Sequence, residues 1–99
     1  MTHSNNQAYA DEAKAAAEEI DLRYQEATAA EQLELKSKRD QALEKYAAAE
    51  QAILDAGTTI TDEDLAEMRR IKKEIDDAAS TQRLMLAAAK LVTKLASFV

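Results

Sequence analysis

The chain has no cysteine, no proline, no tryptophan and a single glycine, Gly57, among its 99 residues. Without Cys there are no disulfides, no thiol nucleophile and no thiolate metal site, and the redox compartment is left open. With one Gly and no Pro, the many turns of an all-β or α/β domain cannot be made. Phosphate-cradling loops, dinucleotide fingerprints and nucleophile elbows need more than one glycine and are excluded with them. The lone histidine, His3, cannot supply a catalytic triad, a zinc site or the paired Glu-x-x-His of dinuclear carboxylate bundles. No apolar run reaches the ~20 residues that span a bilayer. The opening MTHSNNQAYADEA carries neither the basic n-region nor the apolar h-region of a signal peptide. Cytoplasmic residence is therefore the default expectation, with leaderless secretion or membrane association left open.

What is present points one way. Ala, Glu, Lys, Leu and Gln dominate, the strong helix formers, in the mixture typical of long helices and coiled coils. All-α is the only class that fits, and the length suits one domain over residues 1–99.

Ser4 and Gln7 have the form of a capping box at a first helix start. Nothing breaks the chain from there until Gly57, whose tolerance of the left-handed conformation makes it the natural stop. The expectation is a helix over about 5–56, roughly 75 Å long at 1.5 Å per residue. A loop over about 57–61 follows, then a helix over about 62–98. The second start is the better marked. Thr61 can cap with Asp64 at N3, Ile60 and Leu65 can form a hydrophobic staple, and Asp62, Glu63 and Asp64 suit the positive end of the helix dipole.

Apolar stripes at steps of three and four run along both segments. One passes through Met68, Ile71, Ile75, Ala78, Gln82, Met85, Ala89, Val92, Ala96 and Val99 without a change of phase. In the first segment Tyr9, Ala13, Ala16, Ile20, Tyr24 and Ala27 form one stripe, and Leu35, Arg39, Ala42, Tyr46, Ala49, Ile53 and Ala56 another. Joining those two needs an extra step of four, a stutter, between Ala27 and Leu35. Thr28 and Glu31 also have capping-box form, so a three-helix bundle with a break near 28–31 is the alternative to a long antiparallel, coiled-coil-like hairpin. Folding the hairpin about residue 59 would set Ile75 opposite Leu43 and Phe98 opposite Ile20, with Lys90 and Lys94 beside the acidic stretch from Glu19 to Glu34. Tyr9, Ala13 and Ala16 would overhang without a partner.

The segment LMLAAAKLVTKLASFV, residues 84–99, is the most informative. Leu84, Leu91, Leu95 and Phe98 form a second apolar row beside the heptad stripe, and Leu86 lies elsewhere. A helix apolar around most of its circumference is buried on several sides, and one neighbour in a hairpin cannot do that. The expectation is a four-helix bundle completed by self-association, with Tyr9, Ile20, Leu84, Leu91, Leu95 and Phe98 at the interface. The chain itself is the expected partner, with another protein second and peripheral membrane contact third.

The net charge is −6, and the basic clusters Lys36-Ser37-Lys38-Arg39 and Arg69-Arg70-Ile71-Lys72-Lys73 lack interleaved aromatics or a groove-reading motif. Nucleic acid is therefore not expected. Glu18, Glu19, Asp21, Glu31 and Glu34 read as a solvated acidic face rather than a metal site. Catalytic, cofactor-binding and metal-binding residues are all expected to be absent. In size and hairpin outline the chain is similar to the small secreted helical hairpins of the Trp-X-Gly kind. It lacks their Trp, and its turn is Gly57-Thr58-Thr59, so no residue role is carried over. The sequence supports a non-enzymatic interaction or assembly module. Its alternatives are a membrane-active or pore-type subunit using the C-terminal helix, and a small acidic inhibitor docking on a basic site.

Overall fold

A computed structural model describes residues 2–55 and 57–99, with side chains from Asn5 onward. The described residues form four α-helices and no strand: α1 Thr2–Glu26, α2 Ala29–Leu54, α3 Asp62–Asp77 and α4 Thr81–Ala96. The all-α class holds, and the bundle is assembled within one chain. Each long helix expected from the sequence is two helices. The radius of gyration is 13.3 Å and the longest dimension 44 Å, close to the ~13 Å radius of a globular 100-residue domain. A 75 Å hairpin does not fit inside it.

The first break falls at Ala27-Thr28, where the stutter and the capping box both pointed. Thr28 is extended, its side chain accepts the Glu31 amide, and the Glu31 carboxylate accepts the Thr28 amide at 3.0 Å. The second break, Ala78–Ser80, crosses a stripe with no phase change. Ser80 caps α4 by accepting the Arg83 amide at 3.2 Å. The reason for the second break is tertiary: turning α4 back covers the broad apolar face of residues 84–98.

Helices α1 and α3 run one way, α2 and α4 the other. Around the bundle the order is α1, α2, α4, α3, with α1 and α4 meeting across the short diagonal and α2 and α3 apart. The connection from α2 to α3 crosses the first turns of α1. There the Asn6 amide donates to the Asp55 and Thr58 carbonyls, and the Asn5 amide to the Ile60 carbonyl and the Asp62 carboxylate. Because α1 touches the other three helices, its buried face is mostly small: Ala10, Ala13, Ala16 and Ala17 lie beside Tyr9 and Ile20. The overhang expected of Tyr9, Ala13 and Ala16 does not exist.

Helix α2 buries Leu35, Ala42, Ala49 and Ile53, the stripe read from the sequence. Arg39, its one charged member, lies 4.1 Å above the Tyr24 ring with Asp21 at 3.7 Å. The capping box of Thr61 and Asp64 forms as expected, and the staple residues Ile60 and Leu65 are both buried. The start of α1 differs: it is helical from Thr2, so Ser4 sits inside it, and Gln7 donates to Asp11 instead of returning to a cap. The side chains of His3 and Ser4 and the stripe's last member, Ala56, lie outside the described residues.

Gly57 is not the expected left-handed stop. Its φ is not positive, and α2 ends at Asp55 in an extended conformation, whose carboxylate accepts the Gly57 amide at 2.8 Å. A Cβ at Gly57 would meet only that carboxylate oxygen, at 3.4 Å. Gly57→Ala should accordingly raise stability by about 0.4–1 kcal/mol by narrowing the unfolded ensemble, measured as a higher urea midpoint. A loss would mean that the turn needs a positive φ.

Candidate docking groove

The six residues expected at an interface are instead brought together in the core. Tyr9, Ile20, Leu91 and Leu95 have no exposed surface, Leu84 is buried, and half-buried Phe98 sets its ring edge-on to Tyr9 at 5.5 Å. The register also differs, since Phe98 meets Tyr9 and not Ile20. Lys90 and Lys94 face α3 and not the acidic stretch of α1 and α2. With these rows covered inside a single chain, the reason for expecting self-association is gone.

The acidic stretch has local work. Glu19 accepts from Arg23, Asp21 stands beside Arg39, and Glu31 caps Thr28 while accepting the Thr81 hydroxyl at 3.1 Å. Arg23 reaches from α1 across to the end of α3, donating to the carbonyls of Ala78 at 2.9 Å, Asp76 at 2.8 Å and Ile75 at 3.4 Å. These carbonyls lie at the negative end of a helix, where a cation is favoured; that of Ile75 also accepts the Ala78 amide at 3.3 Å. The sequence reading singled out neither Arg23 nor Asn5 and Asn6, because their partners lie 49 to 57 residues away.

The exposed large apolar residue of α4 is Leu86, 68% accessible. It stands in a groove between α3 and α4 made of two open lobes of about 440 and 850 Å³, and lines both together with Arg70, Glu74 and Lys90. Arg83 and Lys73 border the first lobe, Ile71 and Lys94 the second. Five cations and three acids line the two lobes. Each acid already has a lysine: Asp77 with Lys73 at 2.6 Å, Glu74 with Lys90 at 2.9 Å, Glu67 with Lys94 at 3.2 Å. Arg70 and Arg83 have no acid within ion-pairing distance among the described residues. An acidic protein thus carries a locally basic groove with a leucine at its centre.

Lys94 anchors the lower end of the groove, bonded to Asp64 at 2.8 Å as well as to Glu67. Burial alone would lower its pKa, but the two carboxylates outweigh burial and raise it. The Lys94 bond and then the Thr61 cap hold the Asp64 carboxyl below its usual range. The Thr28 amide and hydroxyl, then the Thr81 hydroxyl, do the same for Glu31. Burial, and then Asp64 and Glu67, push the Tyr9 hydroxyl well above its ordinary value, and it has no hydrogen-bond partner among the described residues.

Among the described residues no helix is long and apolar enough to cross a membrane. Comparisons with protein-family models, with characterised proteins and with solved structures find no match to this chain.

Leu91→Ala should cost about 2–5 kcal/mol of folding stability, as a fully buried leucine does, while Leu86→Ala should change it by less than about 0.5 kcal/mol. Urea unfolding of the two variants checks the contrast, and equal losses would contradict the assigned burial. Asp64 and Glu31 have folded pKa values below their unfolded ones. Their stabilisation is therefore complete above the ordinary carboxyl range, about pH 4, and is lost as pH falls through the depressed values. Asp64→Asn should be less stable than wild type at pH 7, with the two melting temperatures converging in stronger acid. A gap that stays constant down to pH 2.5 would count against the Lys94 bond as its source.

Proposed function

We propose that this chain is a non-enzymatic protein-binding module whose α3–α4 groove receives an acidic amphipathic helix of a partner protein. The carrying observation is Leu86, exposed at the centre of a groove whose acids are all paired and whose two arginines are not. A partner helix laid along the groove would set an apolar side chain against Leu86 and Ile71, and carboxylates on Arg70 and Arg83. This is the helix-in-groove mode, and guanidinium groups suit it because they bind carboxylates bidentately. The apolar row that motivated the self-assembly and membrane-active readings lies in the core, so the groove is the better-supported surface.

The test uses two labelled amphipathic peptides about four turns long, one built on Leu and Glu, the other on Leu and Lys, followed by fluorescence anisotropy. The net charge of −6 by itself favours the basic peptide, so a preference for the acidic one isolates the groove. The acidic peptide should bind about tenfold tighter, a difference of ~1.4 kcal/mol, and should weaken with added salt. Leu86→Asp, and Arg70→Glu combined with Arg83→Glu, should each abolish that preference. Tighter binding of the basic peptide, or indifference to both sets of substitutions, rejects the proposal.

A further inference from the structure

Two of the three inter-helix junctions, α1–α2 and α3–α4, lie at the same end of the bundle, joined through the Glu31 carboxylate, but they are held differently. At Ala27-Thr28 the apolar phase changes and a reciprocal capping box closes the turn. At Ala78–Ser80 the stripe read from the sequence runs straight through from Met68 to Val99, but the buried rows do not: Met68, Ile71, Ile75 and Ala78 are followed by Leu84, Ala88, Leu91 and Leu95, one residue out of step with it, and Val99 is exposed. The cap there is one-sided, because its N3 residue is Arg83 and no carboxylate returns to Ser80. Neither Gly nor Pro marks this junction, and Ala78 and Ala79 are the best of helix formers. Nothing local prevents α3 from continuing into α4.

What holds the turn is Arg23. The carbonyls of Ile75, Asp76 and Ala78 accept its guanidinium. In a continuous helix the same oxygens would accept the amides of residues 79, 80 and 82. In the folded-back form Arg23 thus satisfies from outside the helix oxygens that a continuous helix would satisfy from within, although a carbonyl has room for two donors and that of Ile75 accepts the Ala78 amide as well. An open cavity of about 220 Å³, lined by Arg23, Glu31, Leu35, Ser80, Thr81 and Leu84, lies at the same junctions and leaves space around them.

We infer that the chain has a second arrangement, a reciprocal dimer in which α3 and α4 form one helix over 62–96 and each α4 occupies the partner copy's core. The occupant is a second copy because the vacated place is specific. It takes Leu84, Leu91 and Leu95 in the bundle interior and Phe98 against Tyr9, and α4 of another copy supplies the same side chains. Every core contact is remade across a two-fold axis, so the two forms differ mainly in the junction and in the entropy of association. Exchange of an identical element is a low-cost route to a dimer for this reason. The α3–α4 groove would become composite, with Arg70 from one copy and Arg83 and Leu86 from the other. This inference does not depend on what the groove binds.

Thr81→Pro separates the two forms. Residue 81 is the first of α4 and follows an extended Ser80 (φ −142°, ψ 161°), which suits a proline at N1. Inside a continuous helix the same proline loses the bond to the Asp77 carbonyl and clashes with it. Arg23→Met acts in the opposite sense by freeing the carbonyls of α3. Each protein is refolded from urea at high concentration and its mass is read by light scattering, with circular dichroism to confirm folding. Wild type should divide between 10.9 kDa and twice that mass. Arg23→Met should raise the dimer fraction several-fold, and Thr81→Pro should eliminate the dimer in both backgrounds. A dimer that survives Thr81→Pro forms by another surface and overturns the inference, as does a folded Arg23→Met that stays monomeric. Should Arg23→Met fail to fold, wild type against Thr81→Pro decides, and identical mass distributions overturn it.

Discussion

A helix apolar over most of its circumference needs more than one neighbour to cover it, and α4 meets that need by folding back against α1, α2 and α3 together. The remainder of the architecture follows from this constraint. Two long helices side by side could not shield Leu84, Leu91, Leu95 and Phe98, so each is broken once and the four pieces close around one interior. α1 becomes the most surrounded helix, and its run of buried alanines lets three neighbours approach. The interior is mostly aliphatic and alanine, with Tyr9, Asn6 and Met68 as its exceptions.

Breaking helices exposes backbone groups, and the chain satisfies them with local caps at Thr28, Thr61 and Ser80 and with side chains from distant segments rather than with glycine or proline. Asn5 and Asn6 tie down the crossing connection, Arg23 covers the end of α3, and Glu31 links the two junctions at the opposite end. These fastenings lie at the ends of the bundle. The outer side of α3 and α4 is left open, where a groove with an exposed leucine and two arginines without acids stands on an otherwise acidic molecule.

The groove was partly visible in the sequence. Leu86 stood out as the residue that fitted neither apolar row of the last segment, and the Arg69–Lys73 run stood out as a basic cluster. In the fold, the acids within helical reach of Arg70, Glu67 and Glu74, are taken by Lys94 and Lys90 of α4, which leaves Arg70 without one. The inversion concerns burial. The residues that looked most in need of a partner were core, and the odd one out was surface, because periodicity identifies an apolar face without saying which part of the same chain covers it.

Helical class, the caps at Thr28 and Thr61, the Ile60–Leu65 staple and the stripes of α2 and α3 were all written in the sequence, since each depends on residues within one or two turns of one another. The turn at Ala78–Ser80, the negative φ of Gly57 and the arrangement of four helices within one chain came only with the tertiary structure. Arg23 and Asn6 act on carbonyls about fifty residues away, and a local pattern carries no trace of them. A continuous helix and a folded-back pair satisfy local preference equally well at Ala78-Ala79, and the burial of α4 decides between them.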